Sequence, residues 1–224
     1  MAGFLRLVLA LLLAPACWGA AHALVKTTAV AVGLTAGVLS FTGGMAAFVA
    51  LWLAVGHPVK TYVLGHELTH AMTGMMFGAV PSRLRVSDRG GSVNLTKSNV
   101  IITLSPYFIP FYTLVVLAAA LVTGIFVKPL PWPLAWVFAV GFTWAFHVVF
   151  TVDSLSRPQP DVREYGRLFS WTFIFLANIV LVLVALAAVN GAAFVETART
   201  LFGCVWSAYA FTWTLMSKAF SHVS

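Results

Sequence analysis

His66, Glu67 and His70 spell H-E-x-x-H inside the stretch "VLGHELTHAMTG", residues 63–74. Two histidines four positions apart lie on one helix face, one turn above the other, so both imidazoles can reach a single metal ion. The glutamate beside them is not required as a ligand; next to the metal it can take a proton from bound water. This is the zinc-metalloprotease helix signature. Chance is a poor explanation, because the composition produces the pattern in roughly one chain of this length in 500. An apolar setting makes it poorer still, since a charged residue at the bilayer centre costs about 2.5–3.5 kcal/mol or more.

A catalytic zinc takes three protein ligands and leaves one position for water. The residues after the motif, "AMTGMMFGAV", hold no further histidine or acid, so the third ligand comes from a distant segment. The other acids are Asp88, Asp153, Asp161, Glu164 and Glu196, and the other histidines are His22, His57, His147 and His222. The best candidates sit in "FHVVFTVDSLSRPQPDVREYG", residues 146–166. Prolines in "RPQPD" break any continuing helix and deliver Asp161 in an irregular segment, which is tolerated near membrane depth where it lines a cavity. Asp161 is the expected third ligand, followed by Asp153, then His147 and Glu164; each also suits an outer partner orienting a histidine. Asp88 reads as a solvated turn residue.

The elements that hold these groups follow from composition. The 224 residues are 61% hydrophobic and 8% charged, with a mean hydropathy of +0.96. A soluble domain carries about 25% charged residues, so the solvent is lipid and the chain is a multi-pass integral membrane protein. The net charge of +7 sits in short loops between apolar runs. That pattern anchors loops at a membrane surface, and no nucleic-acid partner is expected. Cys17 and Cys204 form no CxxC pair and give neither a disulfide framework nor a cysteine metal site.

A spanning helix needs about 20 apolar residues, and candidate runs lie at about 4–23, 29–55, 59–79, 100–127, 132–152, 169–189 and 193–217. The expected fold is an all-α membrane protein of about six to seven transmembrane helices, a single domain over 1–224 with a small β-hairpin after the H-E-x-x-H helix. Residues 1–23 suit either a signal peptide ending in Ala21-His22-Ala23 or a first helix; the short polar gap to the next run favours a retained helix. Residues 83–96, "RLRVSDRGGSVNLT", alternate apolar and polar side chains around Asp88-Arg89-Gly90-Gly91, the pattern of a β-hairpin. An open sheet edge does not face lipid, so this hairpin sits at the interface, on protein or along a hydrated cavity. Gly33, Gly37, Gly43 and Gly44 suit close helix packing. With all seven runs crossing, Arg83, Arg85, Arg89, Lys97, Arg157, Arg163, Arg167, Lys26 and Lys218 share one side. Arg6, Lys60, Lys128 and Arg199 share the other. The richer side is expected in the cytoplasm, with the N-terminus outside.

The chain resembles the site-2 protease superfamily of intramembrane zinc metalloproteases, especially its small, minimal bacterial-type members. The resemblance rests on "GHELTHA", residues 65–71, on the Gly-paired "DRGGSVNL" that follows, and on an aspartate in a proline-containing stretch, "RPQPD". "LSPYFIPFYT", residues 104–113, is similar to the helix start that follows the hairpin in small members. The superfamily's usual third-ligand motif is similar to N-x-x-P-x-x-x-L-D-G, whereas Asp161 here is followed by Val162-Arg163, with Gly166 further on. The resemblance implies hydrolysis of peptide bonds in or near transmembrane helices of membrane-protein substrates, in the plasma (inner) membrane of a bacterium. It implies one Zn2+ per chain on His66, His70 and Asp161, with Glu67 as general base and then proton donor. The hairpin would either pair with an unwound substrate strand by edge addition or serve as a structural lid, and Tyr107 and Asn94 could supply hydrogen bonds to the intermediate. Two other readings stand beside it. One is an inactive zinc-binding relative that acts through a membrane partner; the other is an ion or proton path lined by His66, Glu67, His70 and Asp161.

Overall fold

Among its described residues, 2–31, 35–56, 58–189 and 194–221, the computed structural model folds most of each apolar run as helix. Gly33, His57 and His222 lie outside the described residues. In chain order the elements are α1 (Ala2–Ala31), α2 (Ala36–Val55), α3 (Val59–Met76), β1 (Pro81–Ser87), β2 (Gly90–Leu95), α4 (Val100–Leu104), a 3-10 turn (Ser105–Tyr107), α5 (Phe111–Phe126), α6 (Pro133–Leu155), α7 (Pro160–Tyr165), α8 (Arg167–Val189) and α9 (Phe194–Ser221).

Among the described residues four helices, α1, α2, α6 and α8, are long and apolar enough to cross a bilayer, or five if the bent pair of α4 with its turn and α5 counts as one span. Length and composition thus give four to five spans rather than the expected six to seven. The α3 helix falls short because Lys60, His66, Glu67 and His70 share its 18 residues, and α9 because Ser, Thr, Trp and Tyr side chains dilute the charge-free stretch between Arg199 and Lys218. The run expected as one span at 100–127 is bent by 81°. Pro106 and Pro110 flank the bend, where a missing N–H interrupts the helical ladder.

The described residues form two compact units, Met1–Val32 with Val162–Ser224, and Gly33–Asp161. In the first, Arg6 donates to the Glu164 carbonyl at 2.6 Å and lies over the Tyr165 ring at 5.3 Å. Further along α1, Ala20 and Ala23 pack with Ile179 and Leu183 of α8, so α1 and α8 run parallel. Tyr209 donates to the Leu12 carbonyl while Gly19 backs onto Cys204 and Val205, so α9 runs antiparallel to both. The helix α1 continues unbroken through Ala21-His22-Ala23.

This pairing corrects the seven-span charge assignment. Arg6, Arg163, Arg167 and Lys218 gather at one end of the unit, with Lys26 and Arg199 at the other.

In the second unit α2 and α6 run parallel. Ser40 Oγ donates to the Leu134 carbonyl at 2.6 Å, and Phe48 meets Phe142 and Phe146 edge-on at 5.3 and 5.5 Å. Gly44 faces the Phe138 carbonyl and Gly141 faces the Phe41 carbonyl, neither leaving space for a Cβ. In lipid, such close backbone approach supplies the dispersion contacts that water-driven burial supplies elsewhere. Gly37 and Gly43 do not share this role, since a Cβ on either would meet nothing nearer than 3.8 Å.

The hairpin packs on protein, along α3. Its two-residue turn, Asp88-Arg89, pairs Ser87 with Gly90, and the ladder runs to Pro81 opposite Leu95, with an irregularity between Ser82 and Arg85. Asp88 forms an exposed ion pair with Lys60 at 3.1 Å, Gly91 lies on Val63 and Glu67, and Leu95 lies on Gly74. The tip therefore stands at the start of α3 and the open end at its finish. From Leu95 the chain returns along α3, placing Ile102 at His70, Tyr107 at His66 and the Tyr112 hydroxyl on the Thr61 carbonyl.

Candidate metal centre

The side chains of α3 that matter repeat every fourth residue, Tyr62, His66 and His70, and so share one face. The His66 Nε2 atom lies 3.3 Å from Asp161 Oδ2 and His70 Nε2 lies 3.5 Å from the same oxygen. The donor atoms of all three residues fall within 4.8 Å of one another. Ligands bonded to zinc at about 2.0–2.1 Å in a tetrahedron stand about 3.3–3.4 Å apart, so the two histidine–aspartate edges already have the required length. A metal ion can be held here by two imidazoles and a carboxylate. Three ligands leave a fourth position open, the arrangement of a catalytic rather than a closed structural site.

Asp161 reaches the histidines because of the prolines before it. The α6 helix stops at Leu155; Arg157 turns back to Asp153 at 2.8 Å and Gln159 to the Ser154 carbonyl at 3.0 Å. Pro160 then opens α7 with Asp161 in its first turn, a position where proline's fixed φ fits the helix and its missing N–H costs nothing. Burial alone would raise the Asp161 carboxyl, but hydrogen bonds from His66 and His70 outweigh it and hold the group below the ordinary carboxylate range. The carboxylate is thus in its metal-binding form.

Outer contacts fix the ligands. His70 Nδ1 donates to the Ile102 carbonyl at 2.9 Å, so loss of the proton that Nε2 shares with Asp161 would leave the Nε2 lone pair towards the centre. Ile102 is held in turn by Asn99, whose side chain caps α4 by accepting from the Ile102 N–H at 2.9 Å. Tyr62 Oη stands 3.4 Å from His66 Nδ1. Tyr107, fully buried, donates to Asp161 Oδ2 at 3.0 Å.

Glu67 is 6% exposed and lies between α3 and β2. A Cβ on Gly91 would come within 2.8 Å of its Cγ, the backbone amide of Val93 reaches its carboxylate, and the charges of His66, His70 and Asp161 act on it. The one glutamate of the motif is therefore fixed beside the histidines without being one of the converging donors.

The remaining candidates lie apart from this group. Asp153 pairs with Arg157. His147 is buried on α6, where with His66, Tyr62 and Thr143 it lines a small cavity of ≈ 20 Å³, room for about one water. Glu164 belongs to the other unit. Asn94 is exposed on β2 opposite Ser82. Sequence reasoning missed Tyr62 and Ile102. The spacing 62, 66, 70 is a signal for the first; the second acts through its carbonyl and carries none. No family model, curated protein or solved structure matches this chain.

Proposed function

We propose that the protein is an intramembrane zinc metalloprotease akin to the site-2 protease superfamily, cleaving peptide bonds in or near the transmembrane segments of membrane-protein substrates. The observation that carries the reading is the convergence of His66, His70 and Asp161 beside a buried Glu67. A structural metal would need no such glutamate and would be closed by a fourth ligand.

His66, His70 and Asp161 would hold the zinc, which when bound would supply a Lewis acid that makes water acidic near neutral pH. Glu67 would take a proton from the attacking water and give it to the leaving amine. The Gly91 and Val93 backbone holds Glu67 in place for both transfers. Among the described residues no backbone hydrogen bond joins either strand of the hairpin to another element. An extended substrate segment can therefore add to its edge, which keeps the scissile bond unwound beside the histidines. The chain crosses the membrane six times in this account, as α1, α2, α6, α8, α9 and one net crossing by α3 to α5. The membrane is a bacterial plasma membrane.

The test uses detergent-purified protein and a panel of synthetic single-span peptides, followed by mass spectrometry. Fragments from wild type that are absent with Glu67→Gln and with a zinc chelator support the proposal. Fragments that persist with Glu67→Gln contradict it.

A further inference from the structure

We infer that Tyr107 is a positioning residue for the metal centre, acting through Asp161. The inference rests on the metal-site reading above. Asp161 is the ligand with the weakest local support: His66 and His70 share a rigid helix, whereas Asp161 sits in the first turn of a six-residue helix behind two prolines. Some other element has to fix its carboxylate.

Tyr107 does this from the 3-10 turn. Its hydroxyl donates to Oδ2, the same oxygen that both histidines approach. Its ring meets the His66 ring edge-on at 5.3 Å and 83°. One side chain therefore touches two of the three candidate ligands, and the Ile102 carbonyl, five residues earlier, orients the third. The bent segment after the hairpin is the outer wall of the metal centre. Tyr107 is fully buried, so its hydroxyl does not trade Asp161 for bulk water. A carboxylate that accepts a fixed hydrogen bond loses fewer orientations on binding metal, and removing such an outer partner typically lowers metal affinity about 10–100-fold.

The test is chelator competition for Zn2+ on the full-length protein in detergent, wild type beside Tyr107→Phe, with visible spectra of the Co2+-loaded forms. Phenylalanine keeps the ring and its contact with His66, so the apo variant should fold, melting lower only by the loss of one hydrogen bond. The expected result is Zn2+ affinity about 10–100-fold weaker, a changed Co2+ ligand-field spectrum, and a smaller rise in melting temperature on adding Zn2+. In an Asp161→Ala background the same change at Tyr107 should have no further effect on Zn2+ affinity. Equal Zn2+ affinity and superposable Co2+ spectra for wild type and Tyr107→Phe would overturn the inference while leaving the metal centre standing. An equal loss of affinity with and without Asp161 would overturn it too. A wild type that binds neither ion would remove both the inference and the metal reading beneath it.

Discussion

Gly91 lies so close to Glu67 that a Cβ on the glycine would stand 2.8 Å from the glutamate Cγ and 2.5 Å from Val63 Cγ1. The hairpin backbone is thus the roof over the glutamate, and only glycine permits the approach. Gly91→Val should lift β2 from α3, at a cost of about 1–3 kcal/mol for overpacking. His66, His70 and Asp161 do not touch Gly91, so metal content should stay at the wild-type level while peptide cleavage falls. Metal analysis and cleavage on the same preparation check this; wild-type cleavage would show that the roof is dispensable.

Asn99 acts at a greater remove. Its side chain caps α4 at the N–H of Ile102, whose carbonyl orients His70. Asn99→Ala should cost about 0.5–2 kcal/mol of stability and weaken metal binding in the same preparation, and Asn99→Asp should restore both. Thermal unfolding with and without added Zn2+ measures the two effects together.

The grouping of His66, His70 and Asp161 was more legible in the sequence than the number of spans, for physical reasons. His66, Glu67 and His70 are local, so helical spacing alone places them, and the prolines before Asp161 announce the broken helix that frees it. The hairpin was legible from period-two alternation over 83–96, but the sequence left three seats for it, the interface, protein or a hydrated cavity; Gly91 and Gly74 let the strands lie down along α3. The bend at 108–110 was hidden because the apolar runs on either side of it add up to the length of one span. The parallel course of α1 and α8 depends on distant contacts, such as Arg6 with Glu164, 158 residues apart, which no local pattern encodes.

Packing in the second unit depends on a reciprocal pair, Gly44 on the Phe138 carbonyl and Gly141 on the Phe41 carbonyl. Gly44→Leu should separate α2 from α6 and cost about 1–3 kcal/mol or more. Gly37→Leu, where a Cβ meets only Thr35 Oγ1 at 3.8 Å, should be nearly silent. Unfolding in detergent followed by circular dichroism distinguishes them, and equal effects would contradict the packing described here.

The antiparallel course of α1 and α9 puts residues 2 and 221 at one end of their unit, together with Arg6, Arg163, Arg167 and Lys218. The opposite end has Lys26 and Arg199. The positive-inside rule assigns the richer end to the cytoplasm. Reporter fusions at both termini should therefore report a cytoplasmic location, and opposite locations would restore an odd number of crossings.

The central claim is that His66, His70 and Asp161 hold one catalytic zinc beside Glu67. Its most direct test is zinc content per chain on metal-replete, detergent-purified protein, wild type beside His66→Ala, Glu67→Gln and Asp161→Ala. The account predicts about one zinc in wild type and in Glu67→Gln, loss with His66→Ala and weakened binding with Asp161→Ala. Wild type that is folded and free of zinc, or Asp161→Ala that retains zinc undiminished, would contradict it.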